Sequence, residues 1–232
     1  MSSSAGDHYD AIAPGYDAQI DTVYNRTVRE CFWHCADSVL QSSSRILDFG
    51  AGTGLDAEHF AALGHSVAAY DISYGMLDVL RQRCSAEIAE GSVVAVGGPL
   101  EKASAVLCDL APFDAVLSNF AVFSTIADLR PVLDLLASVL RKGGLLLILI
   151  QNPWDQAHLT TLAFWKSLLR SGFNDTLRYE SAELGTIYHH SASQIVRQAS
   201  RDFTVSNFTA KPRDRSCLGR LSHFNLVELS RR

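Results

Sequence analysis

The sequence predicts an α/β protein with a doubly wound, mostly parallel sheet. Short apolar runs typical of buried strands alternate with stretches whose apolar residues recur at helical spacing. A loop with three glycines follows the first strand, Arg45–Phe49, and an acid, Asp71, closes the second. A strand, a glycine-rich turn, a helix and a second strand ended by an acid form a nucleoside-binding βαβ unit. Because strands that alternate with helices pack into parallel sheets, this order predicts the fold class.

The predicted elements follow one another along the whole chain. The predicted helices span 21–40, 55–63, a segment N-capped by Ser73, 128–140 and 156–169. The predicted strands span Arg45–Phe49, Ser66–Asp71, 92–96, 115–118, 145–150, Phe203–Thr209 and 224–229. Since no internal repeat or low-complexity linker separates these elements, we predict one domain over residues 1–232.

The composition of the chain is that of a globular protein and not of a disordered or membrane-spanning one. Apolar residues make up 47% of the 232 residues and charged residues 19%, which is typical of a globular domain rather than of a disordered chain. The apolar run at 145–150 is too short to span a bilayer and indicates a buried parallel strand. The polar segment 1–7 lacks the apolar core of a secretory signal. We therefore predict a cytoplasmic protein without a membrane partner.

The cysteines predict reduced thiols, because five is an odd number and the spacing matches no disulfide framework. Cys31, His34 and Cys35 could share one helix face and bind a metal. The neighbouring Phe32 and Trp33 favour core packing instead, and a structural zinc needs a fourth ligand, for which the nearby sequence offers no candidate. The prediction is therefore that no metal is bound.

The spacing of the glycines indicates which nucleoside is bound. A dinucleotide-binding loop reads G-x-G-x-x-G, whereas Gly50, Gly52 and Gly54 give G-x-G-x-G, with Asp48 two residues upstream. This pattern resembles the first motif of the class I S-adenosylmethionine-dependent methyltransferases. The resemblance implies that Gly50, Ala51 and Gly52 lie against S-adenosylmethionine and that Asp71 holds its ribose. The early third glycine speaks against a nicotinamide-dependent dehydrogenase.

Three further segments resemble the same family, in order and at its spacing. Residues 9–17 resemble the Y-D-x-I-A-x-x-Y-D segment of small-molecule methyltransferases. Residues 113–121 resemble the fourth strand of the family fold and the loop after it, and residues 139–145 resemble the turn that leads into its fifth strand. The resemblance implies a seven-stranded, Rossmann-like methyltransferase fold whose last strand is antiparallel. It also implies an N-terminal helical lid (1–44), a cofactor-binding core (45–151) and a region that forms the acceptor pocket (152–232).

The cofactor site is predicted at the carboxyl ends of the strands, where ligands bind on such sheets. That rule places the glycine loop, Asp71, the turn at Gly97 and Gly98, and Asn119 with Phe120 around one pocket. Ile72 and Met76 flank the adenine or belong to the core, and Asp48 is predicted to order the loop by accepting from backbone N–H groups. The predicted cofactor-binding residues are Tyr9, Tyr16, Asp48, Gly50, Ala51, Gly52, Gly54, Asp71, Ile72, Met76, Asn119 and Phe120.

One segment departs from the family pattern. Many relatives carry an acid in a G-D-A turn after the third strand, where it receives the adenine amino group. The aligned residues 96–101 have no acid at that position. Backbone atoms, Glu101 or Asp109 are the alternatives for this contact.

The implied chemistry is an in-line displacement at the methyl group of a sulfonium. The enzyme's main tasks are to orient a nucleophile and to exclude water, and a general base assists when the acceptor is an alcohol or phenol. His189 and His190 are the predicted catalytic residues, because the family builds its acceptor pocket in this region. His8 and His158 are the other candidates, and each of the four can equally be structural. The aromatic residues proposed for the pocket walls are Tyr9, Tyr16, Trp154, Phe164 and Trp165.

A small-molecule acceptor, methylated on O or N, is the predicted substrate. The turn after strand four lacks the N-P-P-Y signature of enzymes that methylate amino groups of DNA bases or glutamine; the segment 152–154 resembles it but follows strand five.

Two alternatives stay open. Residues 197–232 hold eight Lys/Arg against three Asp/Glu within a chain of net charge −5, which is compatible with a tRNA or rRNA methyltransferase. Because these charges are scattered, a solvated surface is the preferred interpretation. A non-catalytic partner subunit with the same fold is the other alternative, and the intact glycine loop and Asp71 speak against it.

Overall fold

The computed structural model describes residues 3–120, 122–152, 176–181, 185–209 and 224–232. Nine strands are described: β1 Arg45–Phe49, β2 Ser66–Asp71, β3 Val93–Gly97, β4 Phe113–Ser118, β5 Leu140–Gln151, β6 Thr176–Ser181, β7 Gly185–His190, β8 Phe203–Thr209 and β9 Phe224–Arg231. Seven of them form one sheet in the order β3-β2-β1-β4-β5-β9-β8, and β6 pairs with β7 in a separate hairpin. Strands β1 to β5 pair in parallel, whereas β9 runs antiparallel to both β5 and β8. The predicted fold class is confirmed.

The described helices are α1 Ser3–Ile12, α2 Tyr16–Ile20, α3 Val23–Asp37, α4 Leu55–Ala62, α5 Tyr74–Arg83, α6 Ser85–Glu90, α7 Leu100–Leu110, α8 Arg130–Val139 and α9 Ala192–Ala199. Short 3₁₀ helices occupy Ala13–Gly15 and Val122–Thr125. Ser73 caps α5 as predicted, because its hydroxyl accepts a hydrogen bond from the Met76 N–H. The helices α1 and α2 fall within the helical segment expected over 1–44, although their bounds were not predicted. The sequence did not predict α6, α7, α9 or the β6–β7 hairpin, and the helix predicted at 156–169 lies outside the described residues.

The core occupies both faces of the sheet. Successive side chains of a strand point to opposite faces, so Ile46 of β1 joins one hydrophobic cluster and Leu47 joins the other. The cluster that contains Ile46 includes residues of α3, α4 and α5, and the cluster that contains Leu47 includes residues of α7, α8 and α9. Burial on both faces explains why the central strands are continuous apolar runs rather than alternating ones.

The register of the central strands brings their carboxyl ends together. Phe49 at the end of β1 pairs with Tyr70 of β2, and Asp48 pairs with Leu117 of β4. Ser118 then donates a 3.0 Å hydrogen bond from its hydroxyl to the Phe49 carbonyl. The loops that leave β1, β2 and β4 therefore begin side by side, and they form the site described next.

Candidate active site

The glycine loop folds back onto the end of β2. The N–H groups of Gly50 and Ala51 both donate to the Tyr70 carbonyl at 2.8 Å, and the Gly52 N–H donates to Asp71 Oδ2 at 2.8 Å. Gly52 has a φ of +53°, and a Cβ atom built on it would meet no atom within 4 Å. Since Gly52 lines a cavity, its bare backbone faces open space that a side chain would fill.

Asp71 is a buried carboxylate held by backbone amides on both oxygens. Its Oδ1 accepts from the Ser73 N–H at 2.8 Å, and its Oδ2 accepts from Gly52. Burial raises the pKa of Asp71 to about 6, although the amides of Ser73 and Gly52 act in the opposite direction. A carboxylate has about four acceptor positions, so Asp71 keeps capacity to accept hydroxyl groups of a ligand.

An inner cavity at the carboxyl ends of the strands brings most of the predicted cofactor residues together. Its described lining consists of Tyr9, Tyr16, Gly50, Gly52, Asp71, Ile72, Met76, Asn119, Phe120, Val122 and Thr125. Val122 and Thr125 were not predicted. They belong to the 3₁₀ helix after β4, and only their position just beyond a strand end could have indicated a role.

Three predicted cofactor residues, Ala51, Gly54 and Asp48, are absent from the described lining of the inner cavity. Ala51 is partly buried, and Gly54 is the left-handed residue that precedes α4. Asp48 is 2% exposed, and within the described part of the chain its Oδ2 has no hydrogen-bond partner. Burial, reinforced by the charges of Asp56 and Asp71, raises the pKa of Asp48 well above its usual range.

The prediction that Asp48 orders the glycine loop is wrong. The loop amides of Gly50 and Ala51 donate to the Tyr70 carbonyl, and the amide of Gly52 donates to Asp71. Asp48 lies buried, and burial disfavours the ionised form that would accept amides, whereas a strand-end carbonyl and Asp71 lie directly beside the loop.

Asn119 and Phe120 are fixed by a network that reaches α3. Asn119 donates from Nδ2 to Asp56 Oδ2 at 3.0 Å and accepts from the Phe120 N–H at 2.8 Å through its own Oδ1. Asp56 also accepts from Trp33 Nε1 at 2.7 Å and from Arg29 at 3.2 Å. Phe120 has a φ of +49°, which is strained for an aromatic residue, and the network holds it there.

The N-terminal helices cover the inner cavity. Tyr9 and Tyr16 line it, with ring centroids 6.3 Å apart and an edge-to-face arrangement. The aspartates that follow these tyrosines anchor the helices to the core. Asp10 Oδ1 accepts from the Ser73 hydroxyl at 2.6 Å and from the Gly75 N–H at 2.8 Å, and Asp17 accepts from the Thr53 hydroxyl at 2.6 Å. The predicted lid is thus seated on the cofactor loop and on the start of α5.

A larger outer cavity of about 550 Å³ adjoins the inner one. The two share Tyr9, Tyr16, Phe120 and Thr125 as lining residues. The rest of the described outer lining consists of His8, Ile12, Gln19, Ile20, Asn25, Ser124, Gln151, Ile187 and Phe224. The two cavities therefore adjoin at these four residues, one beside the glycine loop and one beyond it.

The predicted catalytic histidines lie at the end of β7. His190 is 2% exposed, its Nε2 lies 2.7 Å from the Ile126 carbonyl, and burial lowers its pKa. His189 is 3% exposed. Neither side chain is among the described residues that line the inner or the outer cavity, and their catalytic role stays a prediction. The other candidates His158, Trp154, Phe164 and Trp165 lie outside the described residues.

The turn after β3 does not reach the cavity, contrary to the prediction. The Tyr74 side chain packs over Gly97 and Gly98, so closely that a Cβ atom on Gly98 would lie 2.4 Å from the Tyr74 hydroxyl oxygen. Glu101 and Asp109, the two acidic alternatives for the adenine contact, are exposed on α7 and absent from the described lining of the inner cavity.

The part of the chain that the structure describes contains no group of three or more His, Cys, Asp or Glu residues arranged to hold a metal ion. Cys31 packs in the core, whereas His34 is exposed. In the same ranges, no helix is long and apolar enough to cross a bilayer.

Residues 46–144 match the methyltransferase domain family, and this segment runs from the middle of β1 into β5. The chain therefore carries a class I methyltransferase domain, a class that takes S-adenosylmethionine as its cofactor. The bare backbone at Gly52 and the buried carboxylate of Asp71 fit this cofactor, because they offer close approach to a ligand and an acceptor for ribose hydroxyls.

Two curated relatives illustrate the range of proteins that share this domain. The chain is 31% identical over 150 residues to the tRNA 5-carboxymethoxyuridine methyltransferase of Escherichia coli (strain K12), a match that covers 62% of this chain and 56% of the relative. It is 33% identical over 146 residues to the demethylmenaquinone methyltransferase of Thermobifida fusca (strain YX), covering 60% of this chain and 58% of the relative. The chain thus spans little more than half of either relative's length.

A solved structure supports the fold assignment over nearly the whole chain. The 1,6-didemethyltoxoflavin-N1-methyltransferase of Burkholderia thailandensis, solved with 1,6-didemethyltoxoflavin and S-adenosylhomocysteine bound, superimposes with a TM-score of 0.65. The sequence identity is 19%, and the match covers 98% of this chain and 87% of that one. At this identity the likeness defines the fold alone.

Proposed function

We propose that the protein transfers a methyl group from S-adenosylmethionine to an oxygen or nitrogen atom of a small-molecule acceptor. The observation that carries the proposal is the inner cavity, where the bare backbone of Gly52 and the buried carboxylate of Asp71 meet at the carboxyl ends of β1 and β2. These are the two features that a nucleoside-containing cofactor requires on a sheet of this topology.

The residues on the cavity wall make different contacts with the cofactor. Gly50 and Gly52 give the ligand access to backbone, and Asp71 accepts the ribose hydroxyls. The bound cofactor supplies an activated methyl group on a sulfonium. Burial raises the pKa values of Tyr9 and Tyr16, so both rings stay neutral at physiological pH and present aromatic faces to a cation.

A small acceptor is supported by the dimensions and the chemistry of the outer cavity. Its volume of about 550 Å³ lies within the range of small-molecule sites. It shares Phe120 and both tyrosines with the inner cavity, so an acceptor there lies next to the cofactor. The similarity to demethylmenaquinone and didemethyltoxoflavin methyltransferases is consistent with a ring-containing acceptor.

A tRNA acceptor is the second candidate. The similarity to a tRNA 5-carboxymethoxyuridine methyltransferase favours it, as does the basic balance of residues 197–232. A nucleotide acceptor would depend on phosphate contacts, and its methylation would therefore decline steeply as salt concentration rises.

The first experiment is calorimetric titration with S-adenosylmethionine, S-adenosylhomocysteine and NAD. Micromolar binding of the two adenosyl ligands and none of NAD is the expected result. Absence of binding by all three would contradict the proposal and favour a non-catalytic partner subunit. Transfer of a labelled methyl group to a small-molecule extract, compared with transfer to total tRNA at low and high salt, then separates the two acceptor classes.

A further inference from the structure

His8 places an imidazole on the wall of the outer cavity. It lies on α1 directly before Tyr9, and the two rings meet edge to face with centroids 5.4 Å apart. The Nε2 atom of His8 is buried and has no hydrogen-bond partner among the described residues. A buried polar atom without a partner is costly, so a ligand that donates a hydrogen bond to this ring is favoured.

The ring can turn Nε2 toward the cavity. The χ2 torsion of histidine is broad and roughly two-fold, so rotation about the Cβ–Cγ bond exchanges the positions of its edges at small cost. An imidazole on a cavity wall, with a ring nitrogen that has no described hydrogen-bond partner, is suited to receive a proton from an acceptor.

His8 is also the only imidazole in the described lining of the outer cavity. Among the described lining residues, the titratable groups are His8, Tyr9 and Tyr16, and none is Asp, Glu, Lys or Arg. Burial raises the pKa values of both tyrosines, which removes them as bases at physiological pH. Histidine is the side chain whose ordinary proton exchange falls between pH 5 and 8.

The described residues that line the outer cavity carry no formal charge. On the helix of His8 the other lining residues are Tyr9 and Ile12, and α2 contributes Tyr16. The cavity-lining residues of α3, β7 and β9 are Asn25, Ile187 and Phe224, which are uncharged. The nearest charges act from outside this lining: Asp71 on both tyrosines, and on Tyr16 also Asp17 and Arg29, which stacks on the Phe120 ring 4.6 Å from its centroid and is paired with Asp56.

This lining selects for a neutral and flat acceptor. A charged ligand would lose its hydration without meeting an opposite charge in the described lining, which is strongly unfavourable. The rings of Tyr9, Tyr16, Phe120 and Phe224 instead offer faces and edges to an aromatic ligand, an arrangement that stabilises ring pairs beyond the burial of their area.

We infer that the outer cavity binds a neutral aryl alcohol and that His8 is the general base that accepts its hydroxyl proton. This inference rests on the proposed methyltransferase function and names its acceptor class. The hydroxyl oxygen forms a bond to the methyl carbon while the carbon–sulfur bond breaks, and that bonding pair becomes a lone pair on sulfur. The hydroxyl proton passes to His8 and then to solvent, so the products are a neutral aryl methyl ether, a neutral thioether and one released proton.

The test of acceptor class compares three ligands that share one ring system. The protein is saturated with S-adenosylhomocysteine and titrated with 1-naphthol, 1-naphthoate and 1-naphthylmethylammonium. Binding of 1-naphthol at least tenfold tighter than either charged analogue is expected. Equal or tighter binding of a charged analogue overturns the acceptor class, as does absence of naphthol binding by a protein that binds S-adenosylmethionine. A protein that binds no adenosyl ligand fails at the earlier step, which contradicts the proposed function instead.

The test of the base follows methylation of 1-naphthol with His8→Gln. We expect kcat to fall by about 10²–10⁴-fold, with KM and S-adenosylmethionine affinity within a few-fold of the original protein. The acidic limb of the kcat profile disappears in this variant. His34→Gln, an exposed histidine on α3, is the matched control and keeps both kcat and the limb.

Three results overturn the assignment of His8. They are a kcat within threefold of the original protein, an acidic limb that persists in His8→Gln, and loss of the limb in His190→Gln with His8→Gln unaffected. Wild-type protein that binds S-adenosylmethionine and 1-naphthol without producing the methyl ether likewise overturns it.

Discussion

Asp10 accepts a hydrogen bond of 2.6 Å from the hydroxyl of Ser73, sixty-three positions further along the chain. Ser73 also donates from its backbone N–H to Asp71, and Tyr9, the neighbour of Asp10, lines the inner cavity. The contact therefore joins the covering helix to the same short segment that positions the carboxylate of the site. Opening of the cavity at α1 has to break it.

Removal of this anchor is expected to speed cofactor association. The inner cavity holds about 80 Å³, well below the ≈ 300 Å³ that cofactor sites usually have, so α1 has to move before a nucleoside enters. Asp10→Ala removes two hydrogen bonds worth about 0.5–1.5 kcal/mol each, which predicts an association rate roughly 5- to 150-fold higher. Stopped-flow fluorescence with S-adenosylmethionine measures it.

Asp7→Ala is the matched control, since Asp7 is exposed on the same helix. Its association rate should equal that of the original protein. An unchanged rate in Asp10→Ala would mean that ligand entry does not require α1 to leave Ser73.

Loss of the Asp71 charge is expected to weaken cofactor binding without unfolding the protein. In Asp71→Asn the amide presents N–H groups to the amides of Gly52 or Ser73 and offers fewer acceptors to ribose hydroxyls. Hydrogen bonds to charged groups contribute about 1.5–3 kcal/mol, so the dissociation constant of S-adenosylmethionine should rise roughly 10- to 100-fold. Calorimetry measures this, and Asp78→Asn on the exposed face of α5 serves as the control. An unaltered constant would exclude Asp71 from the site.

Cofactor affinity is expected to depend on pH through Asp71. Its pKa in the free protein is about 6, and the ionised form is the one that accepts two hydroxyl groups. Binding below pH 6 therefore releases a proton, so affinity is highest above that pH and declines by up to tenfold per unit below it. Titrations between pH 5 and 8 check the slope. The Asp71→Asn variant should show a flat profile over this range, and an equal slope there would assign the effect to another group.

Alanine substitutions at Gly52 and Gly64 distinguish two effects: a side chain that fills the cavity and a backbone that is strained. Gly52 and Gly64 both have positive φ, +53° and +86°, and a Cβ atom on either would meet no described atom within 4 Å. Alanine at either position should lower the free energy of unfolding by roughly 1–2 kcal/mol. Only Gly52 lines the cavity, so only Gly52→Ala should also weaken S-adenosylmethionine binding, by at least tenfold. Chemical denaturation measures the change in the free energy of unfolding, and calorimetry measures the change in affinity. Equal affinities in both variants would contradict the role of the bare Gly52 backbone in cofactor binding.

The mostly parallel sheet and the residues around the inner cavity could be predicted because both depend on local patterns. Gly50, Gly52 and Asp71 lie at fixed spacing in one βαβ unit, and a strand-end rule places Asn119 beside them. Tyr9 and Tyr16 came from family resemblance, and both line the cavity. These features need no knowledge of which distant side chains touch.

Contacts between distant segments could not be predicted in the same way. The hydrogen bonds of Asp10 to Ser73 and of Asp17 to Thr53 depend on how α1 and α2 pack on the core. The sequence of these helices does not predict either partner. The role assigned to Asp48 failed because the Tyr70 carbonyl lies closer to the loop amides, a fact set by strand register. The helix α7 was missed because its segment aligned ambiguously with the family pattern.

The position of β9 between β5 and β8 has a consequence for biosynthesis. The apolar strand β5 leaves the ribosome long before Phe224–Arg231, the segment that completes its outer edge. Until then the nascent protein presents a row of unsatisfied backbone groups flanked by leucine and isoleucine side chains, a surface that attracts strands of other molecules. Translation speed and chaperone capture over this interval therefore decide how much of the newly made protein escapes aggregation.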